Sequence, residues 1–159
     1  MKVSSKTLGV GSFARVTKGE FENRDVAIKI FNFLWEKRNE KRQPEKLEEI
    51  FKEYKLMTVL EHKNVVQVFG FILYDGCLGL VMEFANGGTL TELIPKSNFR
   101  QNVQLQYQIL LDIAEGLKFI HFKKIMHRDI KPDNILICKE SDDSLIAKIT
   151  DLGEARVPF

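Results

Sequence analysis

Six side chains scattered along this 159-residue sequence share one chemistry. Asp129, Lys131 and Asn134 lie within a single stretch, His127-Arg128-Asp129-Ile130-Lys131-Pro132-Asp133-Asn134, and Asp151-Leu152-Gly153 follows it. Upstream, Lys29 interrupts an apolar run, Val26-Ala27-Ile28-Lys29-Ile30, behind the turn Gly9-Val10-Gly11, and Glu53 lies between the two regions. Moving a phosphoryl group from a nucleotide requires a carboxylate that receives a hydroxyl proton, and an amide and a second carboxylate that hold Mg²⁺. It also requires a lysine that neutralises phosphate charge and backbone amides that close over the phosphates. Gly9 and Gly11 lack a Cβ, so the chain there can bend tightly and bring N–H groups close to anionic oxygens.

These residues need elements to position them. Residues 6 to 30 alternate in polarity and carry turn residues, which predicts strands joined by short hairpins. From Pro44 the apolar positions Leu47, Ile50, Phe51, Tyr54, Met57 and Leu60 repeat at helical spacing. Proline suits the first turn of a helix and Glu45 suits its positive end. Glu53 projects from the inward-facing stripe of that helix, with Glu49 one turn earlier as the rival, and an acid buried there needs a cationic partner. Strand-like runs follow at Val65 to Leu73 and Cys77 to Phe84, joined by the turn Tyr74-Asp75-Gly76. Thr89-Leu90-Thr91-Glu92-Leu93 fits a short capped helix. A long helix comes next, with Leu110, Ile113, Ala114, Leu117 and Ile120 as its apolar face and cations at its end, Lys123 and Lys124. Ile125-Met126-His127 reads as a strand, and Ile135-Leu136-Ile137 with Ala147-Lys148-Ile149 as a hairpin pair.

Composition narrows the class. With 44% hydrophobic and 29% charged residues and a net charge of +2, the chain has apolar material for one domain. That weak charge argues for neither nucleic acid nor an anionic membrane, and the interleaved signs of Glu36-Lys37-Arg38-Asn39-Glu40-Lys41-Arg42 suit a solvated face. Cys77 and Cys138 lack metal-ligand spacing and read as reduced and structural. The N-terminus does not read as a signal peptide, and no apolar run is long enough to span a bilayer, so the expected location is cytoplasmic. No dimerisation device is visible, which leaves the oligomeric state open.

Taken in order, the motifs resemble the eukaryotic protein kinase signature set from about Leu8 to Asp151. The resemblance implies an α+β, bilobal fold: a small lobe of antiparallel strands plus one helix, and a large helical lobe that is incomplete here. Residues 1–86 would form the small lobe and hinge, and 87–159 the first part of the large lobe. It implies ATP and Mg²⁺ as cofactors and a protein hydroxyl as acceptor. Lys29 would contact the α- and β-phosphates, fixed by Glu53, which the kinase pattern prefers over Glu49. His62-Lys63-Asn64-Val65-Val66 resembles the segment after that helix, so His62 is expected to be structural. The nucleotide would lie among Leu8, Gly9, Gly11, Val16, Ala27 and Leu136, with the glycines at the phosphates and the adenine against the hinge-like Met82-Glu83-Phe84-Ala85. Met82 would guard the back of the pocket, and backbone groups near Glu83 and Ala85 would bond the base. Asp129 would be the catalytic base, Lys131 would touch the γ-phosphate, and Asn134 and Asp151 would ligate the metal. His127 would be structural, and Arg128 would meet a phosphorylated activation-loop residue. Met57, Val68, His127 and Leu152 would stack as an internal spine.

The sequence departs from the family pattern in three places. Ala14 stands where the third glycine of the loop is expected, Leu152 replaces phenylalanine in Asp-Phe-Gly, and no Ala-Pro-Glu motif follows. The turn from Lys139 to Ser144 is also longer than is common. Lys131 implies a serine/threonine enzyme. The Val81-Met82-Glu83-Phe84 hinge, Gly87-Gly88-Thr89-Leu90 and the long Cys138 to Asp151 hairpin are similar to the tyrosine-kinase-like group, including Roco and leucine-rich-repeat types. The chain is expected to be truncated after Asp-Leu-Gly. An ATP-dependent protein serine/threonine kinase region is therefore the leading expectation, and a non-catalytic nucleotide-binding or regulatory fragment the alternative. A small-molecule kinase fits less well, because such enzymes tend to lack the His-Arg-Asp and Lys-Pro pieces.

Overall fold

A computed structural model describes residues 2–11, 14–34 and 43–157. It divides into two compact units. The first takes the chain up to Thr58 together with Gln67–Phe84, and the second takes Val59–Val66 together with the chain from Ala85 onward.

The first unit is built on an antiparallel sheet of β1 (Lys2–Val10), β2 (Ala14–Phe21), β3 (Arg24–Leu34), β4 (Val68–Tyr74) and β5 (Cys77–Glu83), ordered β1-β2-β3-β5-β4. Two-residue turns connect neighbours. Glu22 and Asn23 both have positive φ (50° and 60°), as do Asp75 and Gly76 (49° and 71°), the backbone shape whose twist matches that of the flanking strands. Along β3 the pleat sends Val26, Ile28 and Ile30 to one face, where they form a core with Val81 against Val3, Ile72 and Cys77. Ala27 and Lys29 alternate with them and so belong to the opposite face.

The helix α1 (Gln43–Thr58) belongs to the same unit. Ile50 and Met57 are buried, as the helical spacing predicts, but Phe51 is 45% exposed and does not join that face. It meets Phe71 of β4 edge-on instead, with ring centroids 5.3 Å apart, and Tyr54 contacts the same ring at 4.3 Å. Aromatic edge contacts of this kind hold the helix against β4.

The second unit contains α2 (Leu90–Leu93), α3 (Ser97–Gln101), α4 (Val103–Phe122), a 3-10 turn at Pro132–Asn134, and the two-stranded sheet of β6 (Ile135–Lys139) and β7 (Leu145–Ile149). Thr89 caps α2 through a reciprocal box: its hydroxyl accepts the Glu92 N–H while the Glu92 carboxylate accepts the Thr89 N–H. The hairpin linking β6 and β7 is closed by Glu140 N–H to the Ser144 carbonyl at 2.9 Å.

Three expectations need correction. The strand expected from Val65 starts only at Val68; Val65 instead bridges Ile149 in parallel, with Val66 N–H donating to Ile149 O and Ile149 N–H to Asn64 O, each at 2.9 Å. These bonds fill the open edge of β7, and residues 59–66 belong to the second compact unit. Ile125-Met126-His127 is not a strand beyond one bridge, Met126 to Arg156. On α4 the buried residues are Ile109, Asp112, Gly116 and Ile120, whereas Leu110 is 65% exposed and Ala114 is exposed too. The backbone of Asn64 comes so near that only glycine fits at 116: a Cβ there would stand 2.7 Å from the Asn64 carbonyl oxygen. An apolar-periodicity argument could not select a face made of an acid and a glycine.

Among the described residues neither Cys77 nor Cys138 is in a disulfide, and no helix is long and apolar enough to cross a membrane. The architecture is the α+β, kinase-like one that the motifs led us to expect.

Candidate active site

The first unit contributes the lysine. The β3 pleat presents Lys29 away from the Val26–Ile30 core, and α1 brings Glu53 to it, with Nζ 2.8 Å from Oε1. Both side chains are largely withdrawn from water, at 17% and 7% exposure, so the ion pair is weakly screened and fixes the ammonium. Glu49 is exposed and plays no part, which resolves the choice between the two acids.

The remaining expected residues of this unit cluster by strand register. Val16 pairs with Lys29, Ala27 with Met82, and Gly9 with Val16. Ala27 and Met82 are buried, Val16 half-buried, and Leu8 is exposed. Gly11 N–H donates to the Ala14 carbonyl at 2.8 Å and closes the glycine turn, while Ser12 and Phe13 lie outside the described residues. Glu83 N–H is committed to the Gln67 carbonyl at 2.9 Å, so a base contact at Glu83 falls to its carbonyl oxygen. Met57 and Val68 are buried in this unit, and His127 and Leu152 are buried in the other.

The second unit holds Asp129, Lys131, Asn134 and Asp151, the expected proton acceptor, its neighbouring cation and the expected oxygen ligands. Asn134 is the joint between them. Its Nδ2 donates to Asp129 O at 2.8 Å and to Asp129 Oδ2 at 2.9 Å, and its backbone carbonyl accepts from Thr150 N–H at 3.0 Å. Thr150 is gripped on its other side by His127, whose Nε2 lies 2.9 Å from the Thr150 carbonyl. A carbonyl only accepts, so Nε2 carries the proton; Nδ1 in turn accepts Asp129 N–H at 3.3 Å. With both ring nitrogens engaged on the backbone and the ring buried, His127 is structural and not a base. Arg128 and Asp151, next to these anchors, both adopt positive φ (72° and 64°), a costly backbone state for residues with side chains that recurs at functional sites. Leu136 and Ala85 are half-buried in this unit. The hinge-following glycines are tied to β6 by Gly87 N–H to Ile137 O and Ile137 N–H to Gly88 O, both 2.8 Å.

Lys131 Nζ lies 2.8 Å from Asp129 Oδ2. Its hydrogen bond, helped by Asn134, holds the Asp129 carboxyl below the usual carboxylate range. The same bond raises Lys131, and the charges of Asp133 and Asp151 add to it. Asp129 is thus an ionised carboxylate at neutral pH, one-third exposed and able to accept a proton, and Lys131 is a fixed cation beside it.

The donor set suits Mg²⁺. With Nδ2 of Asn134 committed to Asp129, its Oδ1 and the Asp151 carboxylate would be the two hard oxygen ligands. Among the described residues no group of three or more His, Cys, Asp or Glu could cage a metal. Two oxygens suffice for an ion that takes its other ligands from water and nucleotide phosphates, as Mg²⁺ does.

Two contributors escaped the sequence reading. Thr91 Oγ1 donates to Asp133 Oδ1 at 2.7 Å, tying α2 to the turn that carries Asn134. Asp112 accepts Ala147 N–H at 2.9 Å from within α4. A threonine beside an acid downstream gives no spacing signal; a lone acid among the apolar positions of α4 was the only available hint of Asp112.

Comparison with known proteins agrees with this geometry. The family described as the protein kinase domain matches residues 3–157. A probable serine/threonine-protein kinase of Dictyostelium discoideum is 36% identical over 95% of this chain and 11% of its own length. Serine/threonine-protein kinase STY17 of Arabidopsis thaliana is 31% identical over 96% of this chain and 25% of its own. Serine/threonine-protein kinase Nek5 of Homo sapiens is 36% identical over 96% of this chain and 21% of its own. The chain spans between 8% and 28% of the length of such relatives.

Proposed function

We propose a function from one premise: the chain belongs to the protein kinase domain family. It is read as the part of a serine/threonine-protein kinase that binds Mg-ATP and moves its γ-phosphoryl group to a protein hydroxyl. The observation that carries this reading is the single bonded unit made by Asp129, Lys131 and Asn134 with Thr150, one residue before Asp151.

In the reaction the substrate oxygen forms a bond to the γ-phosphorus as the bond to the β-bridging oxygen breaks, and ADP leaves with that electron pair. Asp129 orients the hydroxyl and receives its proton. Lys131 is placed to offset charge on the γ-phosphoryl oxygens, and Lys29, held by Glu53, meets the α- and β-phosphates. Asn134 and Asp151 would hold Mg²⁺, which when bound would supply positive charge to the phosphates. Leu8, Gly9, Gly11, Val16, Ala27, Met82, Glu83, Ala85 and Leu136 are read as contacts to the nucleotide. Serine and threonine acceptors are favoured by Lys131 and by the names of the relatives. The glycine turn at Gly87–Gly88 and the long β6–β7 hairpin favour the tyrosine-kinase-like group, and two cysteines outside any disulfide favour a cytoplasmic setting.

The test is phosphotransfer from labelled Mg-ATP to a mixed peptide library carrying Ser, Thr and Tyr. Label is expected on Ser and Thr, and Asp129→Asn is expected to reduce it by about 10² to 10⁴, the usual worth of a positioned general base. Nucleotide binding without transfer would overturn the reading in favour of a non-catalytic nucleotide-binding module.

A further inference from the structure

The outer edge of β7 is closed in an unusual way. β6 pairs with β7 along one side only, so the backbone groups of Ala147 and Ile149 on the other side need partners from elsewhere. Ile149 finds both in the Asn64–Val66 segment. Ala147 finds them in two buried side chains: Asp112 Oδ2 accepts its N–H at 2.9 Å, and Asn64 Nδ2 donates to its carbonyl at 3.0 Å. Asp112 and Asn64 are 4% and 0% exposed. Gln108 Nε2 steadies the other Asp112 oxygen at 3.1 Å. A carboxylate from helix α4 therefore stands where a neighbouring strand would place a carbonyl.

An acid is a costly way to satisfy one N–H, because a charge withdrawn from water must be matched by its bonds. Its location points to a reason. Ala147 is followed by Lys148, Ile149 and Thr150, and Thr150 is the residue gripped by Asn134 and His127 immediately before Asp151. Fixing β7 at Ala147 and the chain at Thr150 constrains the backbone that leads into Asp151, whose φ is 64°.

We propose that Asp112 is a positioning residue for Asp151: with Asn64 it grips both backbone groups of Ala147, sets the register and depth of β7, and so holds the metal-ligand carboxylate in place. The inference rests on the reading of Asp151 as a metal ligand. Outer partners that orient ligands typically change metal affinity by about 10-fold to 100-fold when removed.

The test compares wild type with Asp112→Leu, which keeps volume but removes the acceptor, and Asp112→Asn, which retains an oxygen for Ala147 N–H. Two readouts are taken on the purified chain: ATP affinity with and without Mg²⁺, and amide hydrogen exchange. Asp112→Leu is expected to lose about tenfold or more of the Mg²⁺-dependent gain in ATP affinity while metal-free ATP affinity stays unchanged. Exchange at Ala147 and Thr150 should accelerate, with the α4 amides unchanged, and Asp112→Asn should restore both readouts. Should Asp112→Leu not fold, Asn64→Ala removes the grip on the Ala147 carbonyl and is expected to act in the same direction. Unchanged protection at Thr150, or equal loss of ATP affinity with and without metal, would overturn the proposal. Wild type that binds ATP without regard to Mg²⁺ would instead overturn the metal reading of Asp151, and the exchange data would then show separately whether Asp112 holds the Thr150–Asp151 segment.

Discussion

Asp129 has three neighbours that decide its behaviour: Lys131, Asn134 and, through its backbone N–H, His127. The largest influence on its carboxyl is the Lys131 hydrogen bond, so Lys131→Met in magnesium-free buffer should move that pKa upward, toward the ordinary carboxylate value. The sign for stability follows from the depressed folded-state value. What the pair contributes is present above the unfolded carboxyl pKa and is lost as pH falls through the lower folded one. Carboxyl-detected NMR titration of the two proteins reads this directly, and an unmoved Asp129 would mean that Lys131 is not its main partner. Lys29 and Glu53 make a different case because both are largely buried. Lys29→Met takes a cationic partner from an acid that is 6% exposed and should destabilise the first unit by up to about 3 kcal/mol. The double substitution Lys29→Met/Glu53→Leu should cost less than the single one, since no buried charge is then left behind. Denaturant unfolding of both variants checks the order, and a double variant less stable than the single would refute it.

Elements differ in how openly the sequence displays them. The Lys29–Glu53 pair was legible in part because a strand residue and a helical stripe each carry their own periodicity, but the choice of Glu53 over Glu49 came from the family resemblance. Asp129 and Asn134 were legible because their bonds span only a few residues of a recognisable loop. The face of α4 was not. Its buried positions were chosen by what packs on them, the β7 edge and the Asn64 backbone, and neither follows from the helix's own pattern. Gly116→Ala separates the two influences. On an isolated helix this change should help by about 0.8–1.0 kcal/mol. Here the added Cβ would meet the Asn64 oxygen at 2.7 Å and Ile149 Cδ1 at 2.9 Å, so a net loss of about 1–3 kcal/mol is expected from overpacking. A stabilised Gly116→Ala protein would show that α4 can retreat from Asn64 at little cost.

At the scale of the whole chain, the chemistry is shared out unevenly between the two units. On the proposed function, one would carry the phosphate-neutralising lysine on a sheet strand, and the other the proton acceptor and both oxygen ligands. The family motifs named these residues as candidates; the bonding of residues 64–66 to β7 was not visible, because a strand edge seeking partners leaves no mark in residue type. The division makes two single substitutions distinguishable. Lys29→Met removes a cation that ATP meets whether or not metal is present, so it should weaken ATP binding in both conditions. Asp151→Asn keeps the shape but removes a charged metal ligand, so it should leave metal-free binding alone and abolish most of the tightening that Mg²⁺ gives. For wild type, nucleotide at 100 times its dissociation constant should add about 2.7 kcal/mol of apparent stability, which thermal unfolding detects readily. If both variants instead lost binding equally in the presence and absence of Mg²⁺, the assignment of Lys29 to phosphate and Asp151 to metal would fail, and the two residues would have to be read as parts of one structural requirement.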